Sequence, residues 1–299
     1  MNVFLLIFSI AMNLLSCAFL RNDYCKREIR NPRDLYVFNA CSGAVSAVVL
    51  LLISLIMGDF CTPSLYTLVL GIVFGVATAL CAVFGMMALE TGPLSYTNII
   101  SSCSMVIPAL SGAVLFSETV SVWQYVGIAF MVVSFSLAVD KKNNEAGTSL
   151  KWFLLCMVAF FSNGAIGVMQ KIHQNSPHKE ELGVFLVIAF TVYVVFSICM
   201  ALGYRKKGLA CTVASPEKRR KLIVYAVISG FGVAACNQIN MYLTGVMPAI
   251  IFFPVFNGTV MLLTTLIGIL VWKEKLSKKQ WVGIAAGGAA ILLLCDIIK

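Results

Sequence analysis

The sequence predicts an all-α integral membrane protein: ten transmembrane helices arranged as two inverted five-helix repeats. Three observations carry that expectation. Of 299 residues, 60% are apolar or aromatic and 12% are charged, with a mean hydropathy of +0.93. A soluble domain is roughly 45–50% apolar and about 25% charged, and too few charged residues remain here to coat a soluble core. The apolar residues also gather into runs near the ~20 residues a helix needs to cross a bilayer. Finally, the second half of the chain repeats the first.

In order, the spans run approximately Val3–Leu20, Leu35–Met57, Leu65–Leu89, Leu94–Phe116 and Val122–Val139, then Leu150–Gln170, Leu182–Gly203, Leu222–Leu243, Ile250–Val271 and Trp281–Ile298. Backbone polar groups in lipid must be satisfied within the segment, so runs of this length are helices. Val3–Leu20 reads as a first span and not a leader, because no basic residue precedes it and no small-x-small cleavage site follows. Long polar connections cover Arg21 to Asp34 and Tyr204 to Lys221, and DKKNNEAGTS (Asp140 to Ser149) breaks the chain at its middle. The predicted domains are residues 1–140, a linker at 141–149, and residues 150–299.

The repeat is clearest where Glu118 is placed on Glu274. ETVSVWQYVGIA then lies over EKLSKKQWVGIA with seven of twelve positions identical, including Ser121/Ser277, Gln124/Gln280 and Gly127/Gly283. Weaker echoes keep the same order: Asn13 with Asn163 and Arg21 with Lys171, then Gly75 with Gly230, Cys81 with Cys236 and Pro93 with Pro248. A five-helix unit is odd, so the second copy enters the membrane from the opposite side. Inverted repeats of this kind build secondary transporters, with the substrate near the midplane between the repeats. Locally, Ser121-x-x-Gln124 and Ser277-x-x-Gln280 match the capping box that begins a helix, and Glu118 and Glu274 stand just ahead, where the helix dipole favours a carboxylate. Direct substrate contact is the alternative role for this motif.

A Gly-Pro turn entering a helix, a Glu at its end, then Ser-x-x-Gln-x-x-Gly reads Gly92-Pro93…Glu118…Ser121…Gln124…Gly127, and again Pro248…Glu274…Ser277…Gln280…Gly283. This pattern resembles the EamA-type branch of the drug/metabolite transporter superfamily over nearly the whole chain. The resemblance implies ten helices in two EamA-like halves and movement of small metabolites or drugs, often outward, without naming a substrate. Small four-helix relatives carry an essential Glu in the first helix; the middle of this one holds Asn13 and no acid.

Charges in mid-span are costly and mark function, and none is found: Glu90, Glu118, Lys171, Glu274 and Asp296 all lie at predicted helix ends. What remains at depth is neutral. Asn13 and Asn163 sit near the centres of the first and sixth spans. Asn237, Asn240 and Thr244 share one face of the eighth, and Asn257 lies one turn past Pro254 in the ninth. The fourth holds Asn98, Ser101, Ser102 and Ser104 ahead of Pro108. Asn13, Ser101, Asn163, Asn237, Asn240 and Asn257 are the candidate substrate-binding residues. The competing role for each is interhelical glue, on the order of 0.6 kcal/mol per hydrogen bond. Glycine pairs Gly71/Gly75 and Gly283/Gly287 read as close-packing faces. His173 and His178 sit with Lys171 and Lys179 in a loop and read as solvated or interfacial residues. The eleven cysteines form no C-x-x-C pair, and most of them (Cys17, Cys41, Cys81, Cys103, Cys156, Cys199 and Cys236) fall inside apolar runs as small buried hydrophobes.

No nucleotide loop, catalytic triad or zinc motif is present, so neither an enzyme nor a cofactor or metal is expected. The net charge of +9 comes from basic connections, which orient a membrane protein and are not a nucleic-acid footprint. Connections one, five, seven and nine carry 5, 3, 7 and 4 Lys+Arg, against 2 in all the even-numbered ones. That count places the odd connections in the cytoplasm and both termini outside, whereas the resemblance implies termini inside. The expected function is secondary transport, as an exporter, of a small neutral or zwitterionic metabolite across the plasma membrane by alternating access. The expected partners are the solute and the lipid bilayer, with the oligomeric state open. A non-transporting membrane partner of the same fold, or an integral-membrane enzyme, is the alternative.

Overall fold

The computed structural model describes residues 1–21, 23–24, 28–91, 100–101, 103–137, 150–206, 209, 215–272 and 278–294. Among them there is no strand, and the longer helices are α1 (Asn2–Asn13, continued by wider π-helical turns over Leu14–Arg21), α2 (Pro32–Met57), α3 (Leu65–Thr91), α4 (Val106–Phe116), α5 (Val122–Leu137), α6 (Leu150–Gln174), α7 (Leu182–Lys206), α8 (Pro216–Val246), α9 (Ala249–Trp272) and α10 (Lys278–Leu294). Six stretches are long and apolar enough to cross a membrane, while α4, α5, α9 and α10 contain shorter apolar helices. The protein is thus an all-helical chain of the multi-pass membrane type. The expected linker 141–149 lies outside the described residues.

Local chemistry sets several helix ends. Asn31 caps α2 by accepting from the Asp34 N–H at 3.0 Å, and Pro32 occupies the first turn, where its missing N–H costs nothing. Gly58 ends the same helix at φ 77°, a left-handed position that glycine fills without a Cβ penalty. The fourth predicted span is interrupted at Ser104 and Met105, so Pro108 falls in the first turn of α4 and not inside a helix. Only Pro254 stands within a helix interior among the described residues, in α9.

The helices form two compact units: Met1–Ala79 with Ile172–Leu243, and Leu80–Lys171 with Thr244–Lys299. Each draws on both halves of the sequence. In the first unit α2 and α7 run antiparallel: a Cβ on Gly183, at the start of α7, would touch Ser54 near the end of α2, and Gly43 lies against Tyr193. Arg33 at the start of α2 donates to the Leu209 carbonyl just past α7, at 2.8 Å. Gly71 and Gly75 of α3 face α7 as the spacing predicts, with the Ala189 carbonyl 2.5 Å from where a Gly75 Cβ would sit. Tyr24, Phe38, Leu222 and Ala226 form a buried cluster joining α2 to α8.

In the second unit α5 and α10 are antiparallel. Ser134 donates to the Gly283 carbonyl at 2.6 Å and also lies against Gly287, while Gly127 faces Ala290 and Leu294. α4 and α6 run parallel, with Ile107 on Gly164 and Pro108 on Gly167. Within each unit these directions are those of a chain that reverses at every connection.

Candidate functional site

In the first unit, α1 meets α8 through a polar seam. Ser9 is fully buried and donates to Asn240 Oδ1 at 2.5 Å, while Asn13, one turn on, donates from Nδ2 to Cys236 Sγ at 3.7 Å. Asn240 completes the seam by donating to the same sulfur at 3.5 Å. The i, i+4 spacing of Ser9 and Asn13 on α1, and of Cys236 and Asn240 on α8, puts all four side chains in register. Asn237 does not join them; it donates to Val233 O of its own helix at 2.9 Å. Asn13, Asn237 and Asn240 are each partly exposed.

In the second unit, Asn163 of α6 donates to Ser104 Oγ at 2.6 Å and approaches the Ser101 carbonyl at 3.5 Å. Ser104 in turn donates to Ser101 O at 2.6 Å, closing the turn ahead of α4. Asn163 remains exposed. Asn257, which matches Ser101 in the repeat, donates back to Phe253 O of its own helix at 2.8 Å. The repeat-related Asn13 and Asn163 therefore bond different kinds of partner, a thiol in one unit and a hydroxyl in the other. Asn98 and Ser102 lie outside the described residues.

The motif residues resolve into two roles. Ser121 and Gln124 make the expected capping box: Ser121 Oγ accepts the Gln124 N–H at 3.3 Å, and Gln124 Oε1 accepts the Ser121 N–H at 3.0 Å. Glu118 does something the sequence did not indicate. Its carboxylate does not serve α5, which follows it, but the start of α9, accepting the Ala249 N–H at 2.8 and 3.0 Å. A carboxylate is favoured there because the first N–H groups of a helix have no internal partner. Lys171 Nζ sits 2.8 Å from the same carboxylate and donates to Met247 O at 2.9 Å, with only 6% of the Lys side chain and 14% of the Glu exposed. This ion pair thus fastens α6, the α4–α5 connection and the α8–α9 connection together. Glu274 and Ser277 lie outside the described residues, as does the Gln280 side chain.

Two expectations about charge are revised. α6 extends to Gln174, so Lys171 is a buried helical residue and not part of a loop. His173 follows it, fully buried, and only His178 stands in the turn, bonded to Glu181 at 3.0 Å. Among the described residues no group of three His, Cys, Asp or Glu side chains is placed to hold a metal. Ser9, Ser104 and Cys236 join the polar seams without being among the expected site residues. Their i, i+4 spacing from Asn13 and Asn240 is the signal that finds Ser9 and Cys236, whereas Ser104 meets Asn163 only through tertiary packing.

No family model matches the chain. It is similar to an uncharacterized protein of Haemophilus influenzae (strain ATCC 51907 / DSM 11121 / KW20 / Rd), 24% identical over 213 residues, covering 71% of this chain and 70% of the relative. A solved crystal structure superposes with a TM-score of 0.74 at 11% identity, covering 98% of both chains. That likeness extends to the fold of the whole chain.

Proposed function

We propose that this chain is a secondary transporter of the EamA type, moving a small neutral or zwitterionic metabolite outward across the plasma membrane by alternating access. On this reading residues 1–140 and 150–299 are two inverted five-helix repeats and all ten helices are spans. The helix directions inside each unit support it, since they alternate as a ten-span chain requires. The connections support it as well. Connection one meets connection seven through Lys221 and Glu28, while connection two meets connection six through Ser64 and Glu181, so odd joins odd and even joins even.

The observation that carries the proposal is the exposed amide of Asn163 in the middle of an apolar helix. An exposed amide facing lipid would be costly, so such a group belongs beside water or solute. Asn13, Asn237 and Asn240 in one unit, and Ser101, Asn163 and Asn257 in the other, are the substrate-binding residues on this reading. They offer donors and acceptors but no net charge, which suits a solute that brings no excess charge into a low-dielectric site. The test is uptake by purified protein in liposomes, screened with labelled amino acids, amines and nucleosides. A saturable signal lost on Asn163→Leu supports the proposal, and no saturable signal for any class rejects it.

A further inference from the structure

His173 is a titratable side chain that the solute site does not use. It lies in the first unit, fully buried, with its ring 4.5 Å from that of Phe185 and Nε2 3.4 Å from Thr67 Oγ1. Its Nδ1 is buried with no hydrogen-bond partner. The acceptor at the far end of the network assigns the protons. Glu181 Oε2 takes the Ser64 N–H at 2.9 Å and the Ser64 O–H at 2.8 Å. With the Ser64 proton committed, the Thr67 hydroxyl gives its own to the Glu181 carboxylate and receives the His173 Nε2–H on a lone pair, Nε2 lying 3.4 Å from Thr67 Oγ1. Nδ1 is then a bare lone pair held out of water. An unmet buried acceptor is destabilising, so its retention calls for a reason.

We propose that His173 Nδ1 is a proton-binding site, and that binding a proton there releases the Ser64–Glu181 contact that joins residues 58–64 to residues 175–181. In the packed state a proton on Nδ1 would be a donor with no acceptor, and its charge would be held out of water. Opening lets water solvate the imidazolium, so acid favours the open arrangement. The surrounding groups are few. On α6 itself Lys171 is held by Glu118; the turn and short 3₁₀ helix that follow bring His178, Lys179, Glu180 and Glu181. The start of α3 brings Tyr66 and Thr67, and the connection before it Asp59 and Cys61; the first turn of α7 brings no titratable group. Of these, Glu181 and His178 act on His173 electrostatically. Glu181 is already engaged by Ser64 and His178, which ties the two connections together. Both are even-numbered connections, opposite the basic face, so the charge count exposes this proton site to the outside.

The test needs no transport, and its result stands apart from the transport reading. The full chain, without a histidine tag, is placed in phosphatidylcholine nanodiscs with ¹⁵N-labelled histidine. Only two histidines are present, so a His178→Gln variant assigns both imidazoles. Hydrogen exchange of residues 58–64 and 175–181 is followed from pH 8 to 5, corrected for intrinsic rates. The expected result is an acid-induced rise of about tenfold in both segments, the factor matching one unpartnered buried donor. It should persist in His178→Gln, vanish in His173→Gln, and share its midpoint with Nδ1 protonation in the wild-type chain. A rise that survives in His173→Gln overturns the proposal, as does one that vanishes in His178→Gln. If His173→Gln does not fold, the wild-type comparison decides: separate midpoints, or protection unchanged while Nδ1 protonates, overturn it equally.

Discussion

Replacing Lys171 by methionine is the sharpest perturbation of this fold. The ammonium is 2.8 Å from the Glu118 carboxylate and both side chains are almost wholly buried, so little solvent stands ready to replace either partner. Removing one member of a buried pair costs about 3–5 kcal/mol, because the other charge stays desolvated. The start of α9 still offers Glu118 the Ala249 N–H, worth about 0.3–2 kcal/mol, so Lys171→Met should fall near the lower end, about 3 kcal/mol. Glu118→Gln should cost a similar amount: its amide oxygen still accepts from Ala249, and Lys171 keeps the Met247 carbonyl. The double variant leaves no unpaired charge and should be more stable than the sum of the singles by about 2–3 kcal/mol. Equilibrium unfolding in mixed micelles measures all four corners of the cycle. Added salt should change the wild-type value little, since a buried pair is weakly screened. Additive single effects would refute the reasoning, and the pair would then be no more than a surface contact.

Four further outcomes follow from the same contacts. Asn240→Leu should abolish solute uptake while costing stability only about 1 kcal/mol, because the seam loses side-chain bonds of modest worth; uptake and unfolding measured together check it. Ser121→Ala removes the oxygen that accepts the Gln124 N–H and should cost about 0.5–2 kcal/mol with substrate preference unchanged, read by unfolding and competition uptake. Gly75→Ala drives a methyl into the Ala189 carbonyl and should destabilise by about 1–3 kcal/mol, seen as a lower melting point. A reporter active only in the cytoplasm should give signal when inserted in the Tyr204–Lys221 connection and none when fused after Lys299; the reverse pattern would overturn the charge-based orientation.

The helices were legible because lipid leaves the sequence little freedom: apolar runs of the right length have one stable backbone arrangement. The Ser121–Gln124 box and the Gly71/Gly75 face were legible for a similar reason, since their partners are local or their geometry demands smallness. Glu118 was misassigned because proximity in sequence favoured α5, whereas its partner Ala249 is 131 residues away. Lys171 and His173 were placed in a loop because a hydropathy span stops at the first charge, and a charge neutralised by tertiary contact does not stop the helix. For the asparagines, spacing found the residues but not their bonds. Asn13 and Asn163 match in sequence, yet one meets Cys236 and the other Ser104, choices fixed by packing that periodicity does not encode. Likewise the capping residues of the second copy, Glu274 and Ser277, rest on sequence alone.

Saturable movement of a solute tests the central claim most directly. The chain, purified and reconstituted into liposomes, is compared with its Asn163→Leu variant and with empty vesicles, across labelled amino acids, amines and nucleosides. A transporter predicts that at least one neutral or zwitterionic class accumulates with saturation kinetics in the wild type, and that Asn163→Leu, equally folded, returns to the empty-vesicle rate. Linear, protein-independent leakage for every class would contradict the account, as would uptake that Asn163→Leu leaves untouched.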